Sequence, residues 1–341
     1  MRQSFQNMII VGILFGFGIP NLQAGEVLDR VRESGEVRCG LTDAKLPGFS
    51  IMGPTGKWTG FWVDLCKAIA VASLGDSEAV HFVPATESIR AAALRGNAID
   101  VMSANTTWTL SREAGTGIRF VGPVFYDGQG FLAHADSKAK NLKSFGHAKV
   151  CVREGTTTQQ NLQELIKGTY PDLTPVTFQS AKGLMEGLSL RKCDLMTADR
   201  AILATTRLSS GDKDRFVFLP EIVSKEPLGL TMRDDDQEWF NIVRWSMLVM
   251  ITAEEKGITS KNIDSFSNST DPEIRRLLGL EGELGAELGL EKEWAKRIIR
   301  TVGNYGEVFD RNLGPNTPMG MERGLNALWS KGGLMYSPPV R

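Results

Sequence analysis

Apolar positions along the chain fall into two rhythms. Val27, Leu28 and Val31 share a face at helical spacing, so residues 26–38 open with a short amphipathic helix that Gly35 ends. Glu36-Val-Arg-Cys-Gly40 then alternates with the period expected of a strand. Leu41 to Gly60 carries Pro47, Gly48, Gly53, Pro54 and Gly56 and reads as loop. Phe61 to Ser73 returns to helical spacing, with Phe61, Leu65, Ile69 and Ala72 on one face and a stop near Gly75. Val80 to Val83 predicts a strand, Ser88 to Leu94 an Ala-rich helix closed by Gly96, and Ile99 to Met102 the next strand. The order is β-α-β-α-β, the rhythm of an open parallel sheet.

The rhythm repeats. Lys149 to Val152 is a strand, Gly155-Thr-Thr-Thr158 opens a helix running to about Lys167, and Pro175 to Phe178 is a strand. Ala181 to Leu190 is a helix, and Asp194 to Thr197 is a strand with Asp199 just past its end. Extended segments, Phe120 to Ala133 and Phe216 to Leu230, flank this second block. They imply that the chain crosses into a second lobe and returns, with small residues at a hinge. From Asp236 the pattern is helical: Trp239, Ile242, Val243, Ser246, Met247 and Met250 fall on one face. Asp271-Pro-Glu marks a further helix start. Residues 301–341 predict a cap over the first lobe, with the aromatics Tyr305, Trp329 and Tyr336 in its core.

Each block ends on a strand that delivers polar groups at its carboxyl edge, where open α/β sheets bind ligands. After Met102 the chain breaks into Asn105, Thr106, Thr107, Thr109 and Ser111 and ends on Arg112. Short donors and acceptors beside a guanidinium fork are the parts needed to grip the constant portion of an amino acid. The competing reading makes Thr109 or Ser111 a helix cap and puts Arg112 on a solvated face. In the second block, Asp199 competes with a role as cap of the helix beginning near Arg200, and Gly155-Thr156-Thr157 with that of an ordinary cap.

Composition changes the picture in three places. The chain has 341 residues, enough for two domains, and a net charge of −1, which offers no basic surface for nucleic acid or anionic lipid. Arg2, the apolar stretch Met8 to Ile19 and the small-residue site Leu22-Gln-Ala24 predict a secretory leader over residues 1–24; the apolar stretch falls short of the about 20 residues a membrane span needs. Four cysteines, Cys39, Cys66, Cys151 and Cys193, suit two disulfides in an exported protein. Three pairings are possible, and grouping into an early and a late pair favours Cys39–Cys66 and Cys151–Cys193. Neither pair has metal-ligand spacing and His81, His134 and His147 are scattered, so neither a zinc site nor any other cofactor is expected.

The chain resembles the periplasmic amino-acid-binding proteins of ABC importers (solute-binding protein family 3), close to the general L-amino-acid type. The residues that carry the resemblance are Gly60-Phe-Trp-Val-Asp-Leu-Cys66, Asp100 to Arg112, Tyr126-Asp-Gly-Gln-Gly130, Glu154-Gly-Thr-Thr-Thr158 and Arg191-Lys-Cys-Asp194 with Asp199. Val302-Gly-Asn-Tyr-Gly306 and Arg323-Gly-Leu-Asn-Ala-Leu-Trp329, in a long C-terminal segment, point to the general type. The resemblance implies an α/β, two-lobed type II periplasmic-binding-protein fold. Each lobe would be an open, mostly parallel sheet with flanking helices, joined by two crossover hinge strands. Lobe 1 would be residues 25–127 and 222–270, lobe 2 residues 128–221, and residues 271–341 a helical extension on lobe 1. The function implied is capture of free L-amino acids in the periplasm by a monomer that hands them to membrane permease subunits.

Site roles follow from the same resemblance. Arg112 matches the arginine on the ligand α-carboxylate, Thr107 its hydroxyl helper, and Asn105 the position whose carbonyl receives the ammonium. Gly155, Thr156 and Thr157 match the second lobe's helix start, and Asp199 the carboxylate that pairs with the ammonium. Trp62 stands where the family usually has Asp, and packing against Trp58 would explain it. Glu87, Lys45 and Leu46 fall where aromatic residues often line the side-chain pocket. The rival is an enzyme on the same fold, of the arogenate or prephenate dehydratase kind, with Glu87 as its acid or base. No histidine near the predicted groups, no Ser-His-Asp order and no phosphate loop supports it, so a binding protein is expected.

Overall fold

The computed structural model describes residues 25–42, 45–138 and 140–341; the leader read at residues 1–24 lies outside the described residues. Two five-stranded sheets carry the two lobes. In the first, the order is Val80–Pro84, Val37–Leu41, Val101–Met102, Thr231–Arg233, Ile118–Phe120. In the second it is Leu173–Phe178, Ala148–Arg153, Leu195–Asp199, Gln129–His134, Phe216–Phe218.

In both sheets the first three strands are parallel, and the predicted β-α-β-α-β blocks supply them. The fourth strand runs antiparallel to both neighbours. The sheets are therefore mixed, and the reason is topological. Gln129–His134 is the segment arriving in the second lobe, and Thr231–Arg233 the segment returning to the first. Each enters its sheet from the hinge side, where the block strands leave. Between the lobes the crossovers Phe125–Asp127 and Glu226–Leu228 pair antiparallel, with Asp127 opposite Glu226.

Residues 41–60, read as loop, contain a small antiparallel sheet of Lys45–Leu46, Ser50–Met52 and Trp58–Thr59. Its strands are too short to show a period. The helix Phe61–Leu74 departs from the one-faced reading: Trp62, Val63, Ala68 and Val71 are buried along with Phe61, Leu65 and Ile69. A helix apolar all round must be covered all round. The strand Val37–Leu41 lies on one side of it, and the C-terminal helices Trp294–Thr301 and Tyr305–Asn312 cover another.

Trp62 does not pack against Trp58. It sits among Phe49, Phe61 and Phe125 with ring centroids 5.0–6.3 Å apart, while Trp58 packs on Phe82. Tyr305 is core, as expected, but Trp329 and Tyr336 are not: they are 56% and 61% exposed and touch each other edge to face. Apolar character alone did not separate core from surface here, because an aromatic ring with a polar edge is stable in either place. The disulfides are Cys39–Cys66 and Cys151–Cys193.

Candidate functional site

The carboxyl edges of both sheets face one cleft. On the first side, the strand Val101–Met102 gives way to a stretch pinned from several directions. Ser103 Oγ donates to the Trp62 carbonyl at 2.9 Å. Trp62 Nε1 donates to Asn105 Oδ1 at 2.9 Å, so the unexpected tryptophan orients the asparagine. The Asn105 carbonyl accepts from Arg90 Nη1 at 3.2 Å, which uses one of its two lone pairs. Thr107 bridges to Leu228 on the second crossover.

Thr109 does cap the next helix, Leu110–Gly115, by accepting from Arg112 N. Arg112 nevertheless turns inward. Its Nη1 donates to the Thr107 carbonyl at 2.9 Å. Among the described residues no carboxylate lies within ion-pair distance of it. Burial pushes its guanidinium down from the ordinary value while Glu226, Asp199 and Glu87 pull the other way; an arginine stays charged regardless.

On the second side the strand Ala148–Arg153 leads into Gly155, whose φ of +73° turns the chain into a helix start. Thr156 caps Thr157–Lys167 by accepting from Gln159 N at 3.2 Å. First-turn N–H groups of a helix have no partner within it and favour an anion. The cap reading and the binding reading are thus the same geometry.

Asp199 ends the strand Leu195–Asp199 and stands at the cap position of the helix Arg200–Ser209, yet its side chain makes no cap bond. Asp127 performs that task from the first crossover: its Oδ2 accepts from Ala201 N at 3.0 Å. Asp199 is left buried, and among the described residues nothing donates to its carboxylate. Burial raises its pKa well above the ordinary carboxylate value, and Asp127 and Glu226 add to the rise.

All six predicted residues, Asn105, Thr107, Arg112, Thr156, Thr157 and Asp199, line one cleft. Gly155 shapes the turn without lining it, and Leu46 rather than Lys45 reaches the wall. Glu87 and Arg153 also line it and meet across the lobes at 2.7 Å.

Three charged groups escaped the sequence reading. Glu226 is buried on the second crossover and accepts from Thr107 Oγ1 at 2.6 Å, Thr157 Oγ1 at 3.5 Å and Asn161 Nδ2 at 3.1 Å. It therefore touches both lobes at the hinge. Arg90 is buried beneath the site, where desolvation lowers its pKa to about 10. It donates to Thr106 Oγ1 and Thr42 Oγ1. The third is Arg153. Lys225-Glu226-Pro227 falls inside the extended segment Phe216 to Leu230, and Arg90 inside the Ala-rich helix Ser88 to Leu94. No local signal marks either.

The family model for bacterial extracellular solute-binding proteins, family 3, matches residues 38–261. The chain is 42% identical over 316 residues to the general L-amino acid-binding periplasmic protein AapJ of Rhizobium johnstonii, which covers 92% of each chain. It is 43% identical over 319 residues to the glutamate/glutamine/aspartate/asparagine-binding protein BztA of Rhodobacter capsulatus, covering 93% of this chain and 94% of that one. Among solved structures, a periplasmic binding protein of an ABC transporter from Brucella ovis with glutathione bound superposes with a TM-score of 0.89 at 40% identity. It covers 92% of this chain and 99% of that one.

Proposed function

Because the chain belongs to the bacterial extracellular solute-binding proteins of family 3, we infer that it captures free L-amino acids between its lobes and delivers them to an ABC importer. One observation carries the site: Arg112 without a carboxylate and Asp199 without a donor face one cleft from different lobes. A zwitterion supplies both missing partners. Its carboxylate goes to Arg112, the Thr107 hydroxyl and the helix start at Thr156 and Thr157. Its ammonium goes to Asp199 and the remaining lone pair of the Asn105 carbonyl. Contact with both lobes is what lets the ligand favour the closed form.

The two lobes comprise residues 25–127 with 222–270 and residues 128–221, with 271–341 as an extension on the first. The protein works as a monomer outside the cytoplasm, in the periplasm, and meets the permease transiently.

The test is calorimetry with a panel of L-amino acids on the wild type and on Arg112→Ala. Micromolar binding, about −8 kcal/mol, is expected of the wild type. The variant leaves a buried carboxylate unpaired and is expected to bind more than about tenfold more weakly. An Arg112→Ala affinity equal to that of the wild type would overturn the site; no binding by the wild type would overturn the function.

A further inference from the structure

The cleft does not end at the wall that Glu87 and Arg153 make. A second chamber, open to solvent on its outer side, lies against the same two side chains and is otherwise lined by Thr86, Ser88, Glu154, Gly155 and Gln179. Glu87 and Arg153 are the residues the two chambers share. Their ion pair therefore stands as a partition between them.

The partition is weakly made. Glu87 Oε2 is buried and accepts no aligned hydrogen bond, although Arg153 Nη2 is 2.7 Å away, and hydrogen bonds weaken steeply with misalignment. Its charge is also unbalanced. Glu87 is shared between Arg153 and Arg90, the latter at 3.2 Å, so two guanidiniums face one carboxylate. An incoming carboxylate would offer Arg153 a planar partner of its own and leave Glu87 to Arg90. Beyond the partition lie hydroxyls, an amide and the exposed carboxylate of Glu154. Those groups suit a peptide linkage and not an aliphatic tail.

Resting on the amino-acid-binding reading above, we propose that Arg153 and the outer chamber form a second subsite. It takes ligands whose α-amino-acid end is held by Arg112 and Asp199 and whose side chain runs on through an amide to a distal carboxylate, that is, γ-glutamyl peptides. Parting of Glu87 and Arg153 joins the two chambers for such a ligand. A short amino acid stays within the inner one.

The test is calorimetry of L-glutamate and γ-L-glutamylglycine on the full chain and on Ser88→Trp. Ser88 is exposed and lines the outer chamber and not the inner one, so an indole there fills the second subsite alone. The wild type is expected to bind both ligands with dissociation constants within about tenfold of each other. Ser88→Trp is expected to weaken the dipeptide by more than about tenfold and glutamate by less than about threefold. Binding of glutamate without the dipeptide overturns the second subsite and leaves the amino-acid reading standing. Equal loss of both ligands in Ser88→Trp overturns the partition. Binding of neither these ligands nor any amino acid of the panel overturns the amino-acid reading and this inference with it.

Discussion

Asp127 and Asp199 divide between them what one residue does at most helix starts. Asp127 caps the helix Arg200–Ser209 from another strand, and Asp199, in the cap position, is released to face the cleft. The arrangement gathers Asp127, Asp199 and Glu226 at the hinge, and its cost appears in the titration of the two aspartates. Burial, with Glu226 adding to it, pushes the Asp127 carboxyl up to about 7. An unfolded chain would hold it near 4. Across that window the folded protein keeps a proton that the unfolded chain has released. The stability from this group is therefore fully present below about pH 4 and is lost as pH rises through about pH 7. Asp127→Asn removes the titration while an amide oxygen remains to accept from Ala201. The unliganded melting temperature is expected to fall less in this variant than in the wild type between about pH 5 and about pH 8. Parallel falls would show that Asp127 does not carry the dependence. At this scale Arg112 and Asp199 were legible because each follows a strand of a repeated block. Glu226 and Arg153 were not, because the partners of Glu226 come from both lobes and the partner of Arg153 from the other one.

The elements were legible wherever a period could establish itself. The blocks of strand and helix, the Asp271 cap and the Gly35 and Gly75 stops all stand where apolar spacing and cap residues put them. The exceptions are strands of two or three residues, too short for a period. The disulfides brace the parts nearest the cleft. Cys39–Cys66 ties the first strand to the helix Phe61–Leu74, and Cys151–Cys193 ties the strand that ends at Arg153 to the segment before Leu195–Asp199. They close loops of 27 and 42 residues. Chain entropy assigns bridges of that span about 3.5–4 kcal/mol each. The double replacement Cys151→Ser with Cys193→Ser is expected to lower the unfolding free energy by about that amount in a denaturant titration. A loss below about 1 kcal/mol would indicate that the second lobe is braced by its core alone.

At the scale of the whole molecule, the crossovers and the C-terminal extension form one unit. Gly128 lets the crossovers run close: a Cβ there would meet Ile222 Cγ2 at 2.5 Å. Asn326 grips the first crossover as a neighbouring strand would, accepting from Tyr126 N at 2.6 Å and donating to the Tyr126 carbonyl at 3.0 Å. The Tyr305 hydroxyl donates to the Val124 carbonyl at 2.8 Å. Helices of the extension also cover Phe61–Leu74 by burying Trp294, Ile298, Ile299, Tyr305, Val308 and Phe309. Each such side chain contributes about 1.5–3 kcal/mol, and a domain's total stability is only about 5–15 kcal/mol. A chain ended at Thr270 is therefore expected to lose cooperative thermal unfolding. A sharp melt close to that of the full chain would refute this.

The sequence by itself determined the local and repeated features: two β-α-β-α-β blocks and the polar residues at their strand ends; of three possible cysteine pairings it favoured one, and the structure decided it. Those features depend on neighbours in the chain, and spacing records them. Only the tertiary structure decided that Trp62 orients Asn105, that Asp127 takes over the cap of Asp199, and that Glu87 meets Arg153 across the cleft. Each of these joins residues from different elements, and a charge or an aromatic ring carries no mark in its own segment of the distant group that will complete it. The stretch from Ser103 to Arg112 carries one side of the cleft lining in its composition; the other side came from the second lobe folding against it.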